Sequence, residues 1–547
     1  MSAGWRRLAR HTMKPTSHPR WPAQIKYIVG NEACERFSYY GMRSILAGYI
    51  TGAVVRGGLG QDADTSTEII HLFVFANYFM PLLGAWLSDK IIGRYRTILW
   101  VSLFYCAGHG VLACSDYAGG VHGRMLCLCL GLALIAFGSG GIKPCVSAFM
   151  GDQFKPEQSH LLQKAYGAFY WAINFGSFFS FLVIPWVKDH HGYSLAFAVP
   201  GILMAIATFV FWLGTPHYVR QPTNRELHHA GFFQVFWHAY RAGTPFRFAA
   251  LLNLSATLGL PALAMGLMTV LGFAPCSEPV VKGLGWTALG CIGVWYLCVI
   301  GLSLLRKTEL PEKFWAAAAG RHSAKEITGA RSFSPILFIF AFVPVFWTLF
   351  DQTNTTWVLQ GQQMTPVKML GLDIGAEQMQ SMNPAIVMLL VPLFTLGIYP
   401  RIGRFASPLK RMAYGMFLAA GSYLIVAALQ RQIETGASLC VLWQTVPYLI
   451  LTAAEVLFST TGLEFAFREA APELKSTIMS FWLLTTAMGD LFVVTVTKLF
   501  ANPGDHAASV STGRFLQYAG MTFVVAVLFS VVAAFYRYHD PAAAKGK

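Results

Sequence analysis

Long apolar runs decide most of what this chain can fold into. Stretches poor in charge fall at 24–55, 65–90, 95–114, 121–150, 163–187 and 193–214, then at 245–272 and 284–305. Six more follow at 333–360, 376–400, 408–430, 442–470, 475–501 and 513–537, about fourteen in all. Crossing the hydrocarbon layer takes about 20 apolar residues in a helix, which each run supplies. The period-two alternation of a membrane β-barrel is missing. Composition agrees, with 55% hydrophobic and 12% charged residues against roughly 25% charged in soluble chains. One soluble core also stops growing near about 250–300 residues, and this chain has 547. A water-soluble enzyme is close to excluded, and an all-α polytopic membrane protein is expected.

The net charge of +15 comes from 41 Lys and Arg against 26 Asp and Glu. Its distribution follows membrane topology rather than a nucleic-acid surface. With the amino terminus inside, inner segments hold Lys90, Arg94, Arg96, Lys155, Lys164, Arg220, Arg225 and Arg241. Further on they hold Arg306, Lys307, Lys313, Arg321, Lys325, Arg331, Arg401, Arg404, Lys410 and Arg411. Outer segments set Arg56 against Asp62 and Asp64, Lys188 against Asp189, and Lys282 against Glu278. Cytoplasmic loops carry the Lys and Arg excess, so both termini are expected in the cytoplasm. Arg6, Arg7, Arg10, Lys14 and Arg20 precede the first run without an apolar h-region, which reads as a tail rather than a signal peptide. The pair of runs at 245–305 is nearly free of ionisable residues apart from Glu278 and Lys282 at its turn. It reads as an insertion packed outside two six-helix halves. The expected organisation is a tail at 1–23, a first bundle at 24–214, a linker with the inserted helices at 215–332, a second bundle at 333–537 and a tail at 538–547.

Ten cysteines form no CxxC pair and no zinc spacing, so no metal and no cofactor is expected. Cys276 and Cys440 fall in outer segments, and no disulfide is expected between them. Charges inside the apolar runs are the informative residues, because each costs about 2.5–3.5 kcal/mol at the bilayer centre on insertion scales. The first run contains Glu32, Glu35, Arg36 and Arg43, whose helical spacing aligns them with Tyr39 and Tyr40 on one face. Lys143 follows the glycines of Gly138-Ser-Gly-Gly-Ile, which permit close helix approach, and precedes Pro144, expected to kink the helix. Asp351 and Glu455 lie deep in later runs. Intramembrane charge is a functional-site hypothesis by default. The positive residues in the first half and negative ones in the second suggest pairs between halves. His71 is alone in its run; it is as readily a structural hydrogen-bonding group as a proton-titrating one.

Several ordered motifs go further. They are Glu32-x-x-Glu35-Arg36-Phe37-x-Tyr39-Tyr40-Gly41, then Gly84-Ala-Trp-Leu-Ser-Asp89 with Gly93 and Thr97, and Gly140-Gly-Ile-Lys143-Pro with Gly151-Asp-Gln-Phe154. Tyr166 through Phe178, with Ile173-Asn174-Phe175-Gly176-Ser177, and Gly462-Leu-Glu-Phe-Ala466 complete the set. Together they resemble the signatures of the proton-dependent oligopeptide transporter (POT, or PTR) family of the major facilitator superfamily, over nearly the whole chain. The resemblance implies two six-helix bundles around a central site with alternating access. It also implies the inserted pair that many bacterial members carry, residence in the plasma (inner) membrane, and function as a monomer. His71 matches a second-helix histidine linked to proton handling in the animal branch and some bacteria. Two departures stand out. Phe175 is bulkier than the usual residue, and Thr395 replaces an aspartate of many animal members, together with the salt bridge that aspartate makes.

The implied activity is proton-coupled import of di- and tripeptides. By family position, Arg43 and Lys143 would face the peptide carboxylate, and Glu455, Asn174 and Asn383 its ammonium. Tyr39, Tyr40 and Tyr78 would donate to backbone carbonyls, while Trp347 and Trp482 wall the side-chain pockets. Glu32, Glu35, Arg36 and His71 would handle protons, with gating pairs Arg43–Asp351 and Lys143–Glu455. Arg43, Lys143, Asp351 and Glu455 are expected to share one water-accessible cavity. Alternatives are a related transporter of nitrate or amino-acid conjugates, or an integral-membrane enzyme. For an enzyme, the His190-His191 and His228-His229 pairs lack acidic partners at helical spacing and fall in predicted loops. No Walker motif supports ATP-driven transport.

Overall fold

The computed structural model describes residues 21–155, 158–221, 223, 231–242, 245–259, 278–369, 371–402, 407–471, 475–500 and 509–538. Both expected tails outside 21–538, Arg225, His228, His229, Cys276 and Arg404 lie outside the described residues.

The first six spanning helices are α1 (Ile25–Thr51), α2 (Ala63–Trp86), α3 (Arg94–Ala113), α4 (Gly120–Gly151), α5 (Ser159–His191) and α6 (Tyr193–Leu213). Asp62 starts α2 by accepting a hydrogen bond from the Thr65 amide at 2.7 Å, as an N-cap should. A π-turn continues α2 to Ile92, and Gly93, at φ +81°, reverses the chain into α3. His190 and His191 belong to the last turn of α5, not to a loop. A short amphipathic helix α7 (Phe232–Arg241) leads to α8 (Arg247–Leu258) and α9 (Glu278–Leu304). These two carry the inserted pair, of which the first is described through its opening turns. Trp286, Val294 and Leu297 of α9 are exposed, so this helix packs peripherally.

The second bundle opens with α10 (Ala324–Phe340), started by a Ser323–Glu326 capping box. A 40° bend leads into α11 (Val343–Phe350), and the same span runs on to Gln362. A small antiparallel hairpin, β1 (Val367–Met369) with β2 (Leu372–Ile374), sets Val367 opposite Ile374. There follow α12 (Met382–Pro392), α13 (Pro408–Glu434), α14 (Thr445–Glu455) extended through a π-turn into α15 (Thr461–Glu469), α16 (Lys475–Leu499) and α17 (Thr512–Phe535). Ten described helices are long and apolar enough to cross a membrane, with the bent pair an eleventh. α1 and α3 have the length, at 27 and 20 residues, but are more polar. With the start of the inserted pair at α8 they complete the set of runs. The chain is thus an all-α, multi-pass membrane protein.

Glycine permits the close contacts in the first bundle. A Cβ on Gly84 would lie 2.1 Å from the Gly141 carbonyl oxygen, and one on Gly140 would lie 2.5 Å from that of Asn77. α2 and α4 therefore touch backbone to backbone around the stretch that carries Lys143, and α4 continues helically through Pro144.

The bundle has two ends. The near face is where α1 begins and the far face is where it ends. Among the described residues, the ion pairs joining the two bundles lie from mid-depth to the far face. Lys188 meets Glu377 at 2.6 Å and Lys498 meets Glu68 at 3.1 Å, with Arg43–Asp351 and His71–Asp490 deeper in. The Ser509 amide donates to Asp64 at 2.8 Å, and Gln380 Nε2 donates to the Ser44 carbonyl at 3.1 Å. Near-face ion pairs stay within one bundle: Arg94–Asp152 at 2.8 Å, and Arg411–Glu464 at 2.8 Å. A cavity of about 380 Å³ separates the bundles there. Among the described residues, the ties between the bundles gather toward the far face and the larger cavity between them lies toward the near face.

The Glu377 side chain is only 4% exposed, so removing its cation strands a buried carboxylate, at a cost of up to about 3–5 kcal/mol. Lys188→Met should lower the melting temperature of the purified protein by several degrees. The Lys188→Met/Glu377→Gln double variant should recover most of that loss. Equal melting of single and double variants would show that the pair does not hold the far face.

Candidate functional site

α1 brings its four charges inward as its spacing predicts. Arg36 Nε lies 2.7 Å from Glu32 and 2.8 Å from Glu35, all three buried. Ser139 Oγ of α4 donates to Glu35 at 3.4 Å. The cluster therefore holds two carboxylates against one guanidinium. Two helical turns further, Arg43 Nη2 contacts Asp351 Oδ1 at 2.8 Å, with side-chain exposures of 4% and 5%. This pair crosses from α1 to the span begun by α10, so it is a tie between the bundles.

Around it lies a cavity of about 160 Å³ lined from both bundles, with Tyr40, Arg43, Tyr78 and Asn174 on one side and Trp347, Asp351, Asn383 and Glu455 on the other. Asn383 Nδ2 donates to Glu455 Oε2 at 2.7 Å, which fixes that carboxylate toward the cavity. The cavity thus presents one guanidinium and two carboxylates, Asp351 and Glu455, among aromatic rings and amides. Arginine is the side chain suited to bidentate binding of a carboxylate, and amides and phenols suit a peptide backbone.

Three expected site residues sit elsewhere. Lys143 makes no ion pair with Glu455. Its Nζ lies over the Tyr78 ring at 4.0 Å and the Tyr39 ring at 5.1 Å, in cation–π contact. It lines the near-face cavity with Asp89, Arg94 and Trp482. The shared cavity expected for four charges therefore holds three. Tyr39 is buried, and its hydroxyl accepts from Asn77 at 3.1 Å; it braces α1 against α2 rather than lining the cavity. Trp482 is also buried. It packs on Phe340 and Phe458 with centroids 5.3 and 6.4 Å away, and walls the near-face cavity instead of the Arg43 cavity. The two departures are local. Phe175 stacks between Trp171 and Phe179, and the exposed Thr395 bonds back to Val391 of its own helix.

His71 is buried between the bundles, its Nδ1 2.7 Å from Asp490 and its Nε2 3.1 Å from Thr355. Asp490 is absent from the sequence-derived set, although its signal, an acid inside an apolar run, is the one that marks Asp351 and Glu455. Lys188 and Glu377 are missed for a different reason. Each lies at the end of a run, where charge is ordinary, and only the fold makes them partners.

Comparison with known proteins fits this geometry. The sequence model of the POT family (PTR2) matches residues 95–253 and 304–512. The chain belongs to the POT family. Among curated POT relatives, peptide transporter family 1 of Drosophila melanogaster is 33% identical over 427 residues, covering 76% of this chain and 49% of that protein. Human solute carrier family 15 member 1 is 32% identical over 436 residues, covering 76% of this chain and 52% of that protein. The chain spans about half the length of these curated relatives. Solved structures match along their whole length. An auto-inhibited POT family peptide transporter is 37% identical, with a TM-score of 0.78, covering 96% of this chain and 100% of its own. The POT family transporter PepTSo is 36% identical, with a TM-score of 0.79, covering 95% and 100%. The fold is therefore that of the POT transporters, two six-helix bundles with an inserted pair.

Gly462 tests how the near-face cavity is shaped, because a Cβ there would lie 2.0 Å from Trp482 Cη2. Gly462→Ala must displace that indole, and such overpacking costs about 1–3 kcal/mol. Its melting temperature should fall, and Gly462→Ala/Trp482→Phe, which trims the ring, should restore it. A single variant that melts like the parent would contradict this packing.

Proposed function

We propose that this protein is a proton-coupled symporter that imports di- and tripeptides by alternating access. The observation that carries the reading is the Arg43–Asp351 pair, which ties the two bundles while lining a cavity that also presents Glu455. A short peptide is a zwitterion with a constant backbone and variable side chains. Arg43 would take its carboxylate, Glu455 with Asn383 and Asn174 its ammonium, and Tyr40 and Tyr78 its carbonyls. Trp347 would wall one side-chain pocket. Lys143 and Trp482 would engage the substrate or its exit from the near-face cavity. Lys143–Glu455 would be a pair of another stage of the cycle. Tyr39 would act by placing Arg43.

The six-helix units at 24–214 and 333–537 would be the rocking bodies, with the linker and inserted helices at 215–332 between them. The Lys and Arg excess supports a cytoplasmic near face and cytoplasmic termini, and membership of the family supports function as a monomer in the plasma (inner) membrane. On that orientation the structure is closed to the outside and parted toward the cytoplasm. Glu32 and Glu35 share Arg36, so one of them would carry a proton in part of the cycle, assisted by His71. Moving one charge through 100 mV is worth about 2.3 kcal/mol, or roughly fifty-fold accumulation at about 1.4 kcal/mol per decade.

In proteoliposomes with an acid-outside gradient, the parent protein should concentrate labelled dialanine. Dipeptides and tripeptides should compete, while single amino acids should not. Glu35→Gln should lose gradient-driven accumulation but retain exchange of dialanine across the membrane. Glu455→Gln should raise KM for dialanine by tenfold or more, because a charge-assisted hydrogen bond to an ammonium is worth about 1.5–3 kcal/mol. Accumulation by Glu35→Gln equal to the parent would overturn the coupling assignment. Uptake indifferent to dissipating both gradient and voltage would overturn symport.

A further inference from the structure

The inserted helix α9 ends on the near face in a turn that the transport site does not use. The Arg306 amide donates to the Ser303 carbonyl at 3.0 Å, and the Lys307 amide to the Leu302 carbonyl at 2.8 Å. This is the Schellman pattern of a helix end, and its left-handed position falls on Arg306. Arg306 has φ +53° and is the only non-glycine residue with positive φ among the described residues. Glycine makes such a turn without strain, so the side chain rather than the backbone accounts for an arginine there. The turn is also firmly held. Asn253 of α8, itself buried, donates to the Thr308 carbonyl at 3.0 Å and accepts from Ser334 of α10 at 2.9 Å.

That turn walls a cavity of about 260 Å³ where α9 and α17 leave the membrane and α10 enters it. Arg306, Glu309 and Glu312 line it from the turn, Arg331 from α10, and Arg537 from just past α17. Its deepest lining, Phe338, Ile339 and Val532, is buried and apolar. Arg331 Nε is taken up by Glu309 at 2.8 Å. The Arg306 guanidinium leans over the Phe535 ring at 6.0 Å. Among the described residues, Arg306 and Arg537 have no carboxylate within ion-pair distance, and Glu312 has no cation. Three arginines against two glutamates leave the lining one positive charge in excess. Beside the opening, Leu304, Leu305 and Phe535 are exposed. A soluble anion would use the arginines but not this apolar rim, whereas a phospholipid uses both. Basic pockets between spanning helices at the membrane boundary suit lipid headgroups.

We propose that this cavity binds the headgroup of a phospholipid with one net negative charge, a phosphodiester of the phosphatidylglycerol class. Arg306 and Arg537 take its phosphate oxygens, and Arg331 stays on Glu309. Glu312 accepts from the headgroup hydroxyls, and the acyl chains run along Leu304, Leu305 and Phe535. One negative charge completes the balance of the lining. The bound lipid clamps the inserted helix α9 to α10 and α17 of the second bundle. The inference needs the multi-pass membrane fold and is independent of what the central cavity carries.

The test is thermal melting of the purified full chain in detergent, titrated with dioleoyl phosphatidylglycerol, dioleoyl phosphatidylcholine or glycerol 3-phosphate. Phosphatidylglycerol should raise the melting temperature saturably, as a ligand of the folded state does, and the other two should not. Arg306→Gly should melt no lower than the parent without lipid, because glycine suits the turn. Arg306→Gly and Arg537→Gln should each raise the half-saturating phosphatidylglycerol concentration by about tenfold, the scale of a lost charge-assisted hydrogen bond. Arg321→Gln, exposed on the same face but outside the cavity, should titrate like the parent. Equal protection by phosphatidylcholine, or unchanged half-saturation in both cavity variants, overturns the proposal. So does equal weakening by Arg321→Gln, which would mean diffuse attraction to the basic face. Protection by glycerol 3-phosphate equal to that by the lipid would make this a soluble-anion site and overturn the lipid assignment. No arm involves dialanine, so failure here and failure of the transport reading are separate results.

Discussion

A guanidinium and a carboxylate 2.8 Å apart, both nearly inaccessible, join the first span of this protein to its ninth, the first of the second bundle. The remaining architecture follows from the physics of that contact. Taking two charges out of water is costly, and their mutual attraction repays the cost only when the geometry is good. A buried ion pair is therefore close to balance, strong enough to hold and near enough to neutral in free energy to be exchanged. An apolar contact of the same size would join the bundles without responding to charge. Arg43–Asp351 responds, because a proton or a second carboxylate competes for the same partners.

The polarity of the structure comes from where such contacts lie. Ties between the bundles run from mid-depth to the far face through Arg43–Asp351, His71–Asp490, Glu68–Lys498 and Lys188–Glu377. The near-face ion pairs Arg94–Asp152, Arg411–Glu464 and Arg468–Glu464 each lie within one bundle. A body held by exchangeable contacts on one side and parted on the other is already hinged. Glycines let α2 and α4 of the first bundle touch backbone to backbone, so relaxation of the ties would move packed helices together rather than bend them.

The sequence made the membrane class, the approximate spans and the inward-facing charges of α1 legible, because apolar run length and helical spacing are local properties. Arg43, Asp351, Glu455 and Asn383 converge as their chemistry and the family motifs indicate. What stayed hidden is mostly pairing. Lys143 carries the charge expected to meet Glu455, yet the close packing of α2 on α4 turns it onto Tyr78. Trp482 keeps its aromatic role but on the near side, because Gly462 makes room for the ring there. Asp490 shares the signal of the other buried acids, and its meaning depends on a histidine more than four hundred residues away. Lys188 and Glu377 carry no local signal. Burial on the far face, which no window of sequence contains, makes that pair structural.

The central claim is that buried charges form an exchangeable tie that holds the far face closed. The most direct measurement is the distance across that face, read by pulsed electron–electron resonance between spin labels at Val55→Cys and Thr435→Cys, both exposed. Cys114 and Cys129, also exposed, would first be changed to serine. Acidification and saturating dialanine should add a longer-distance population, and Asp351→Asn should show that population without either. One unchanging distance across pH, peptide and Asp351→Asn would mean that the buried charges fasten the bundles without governing their motion.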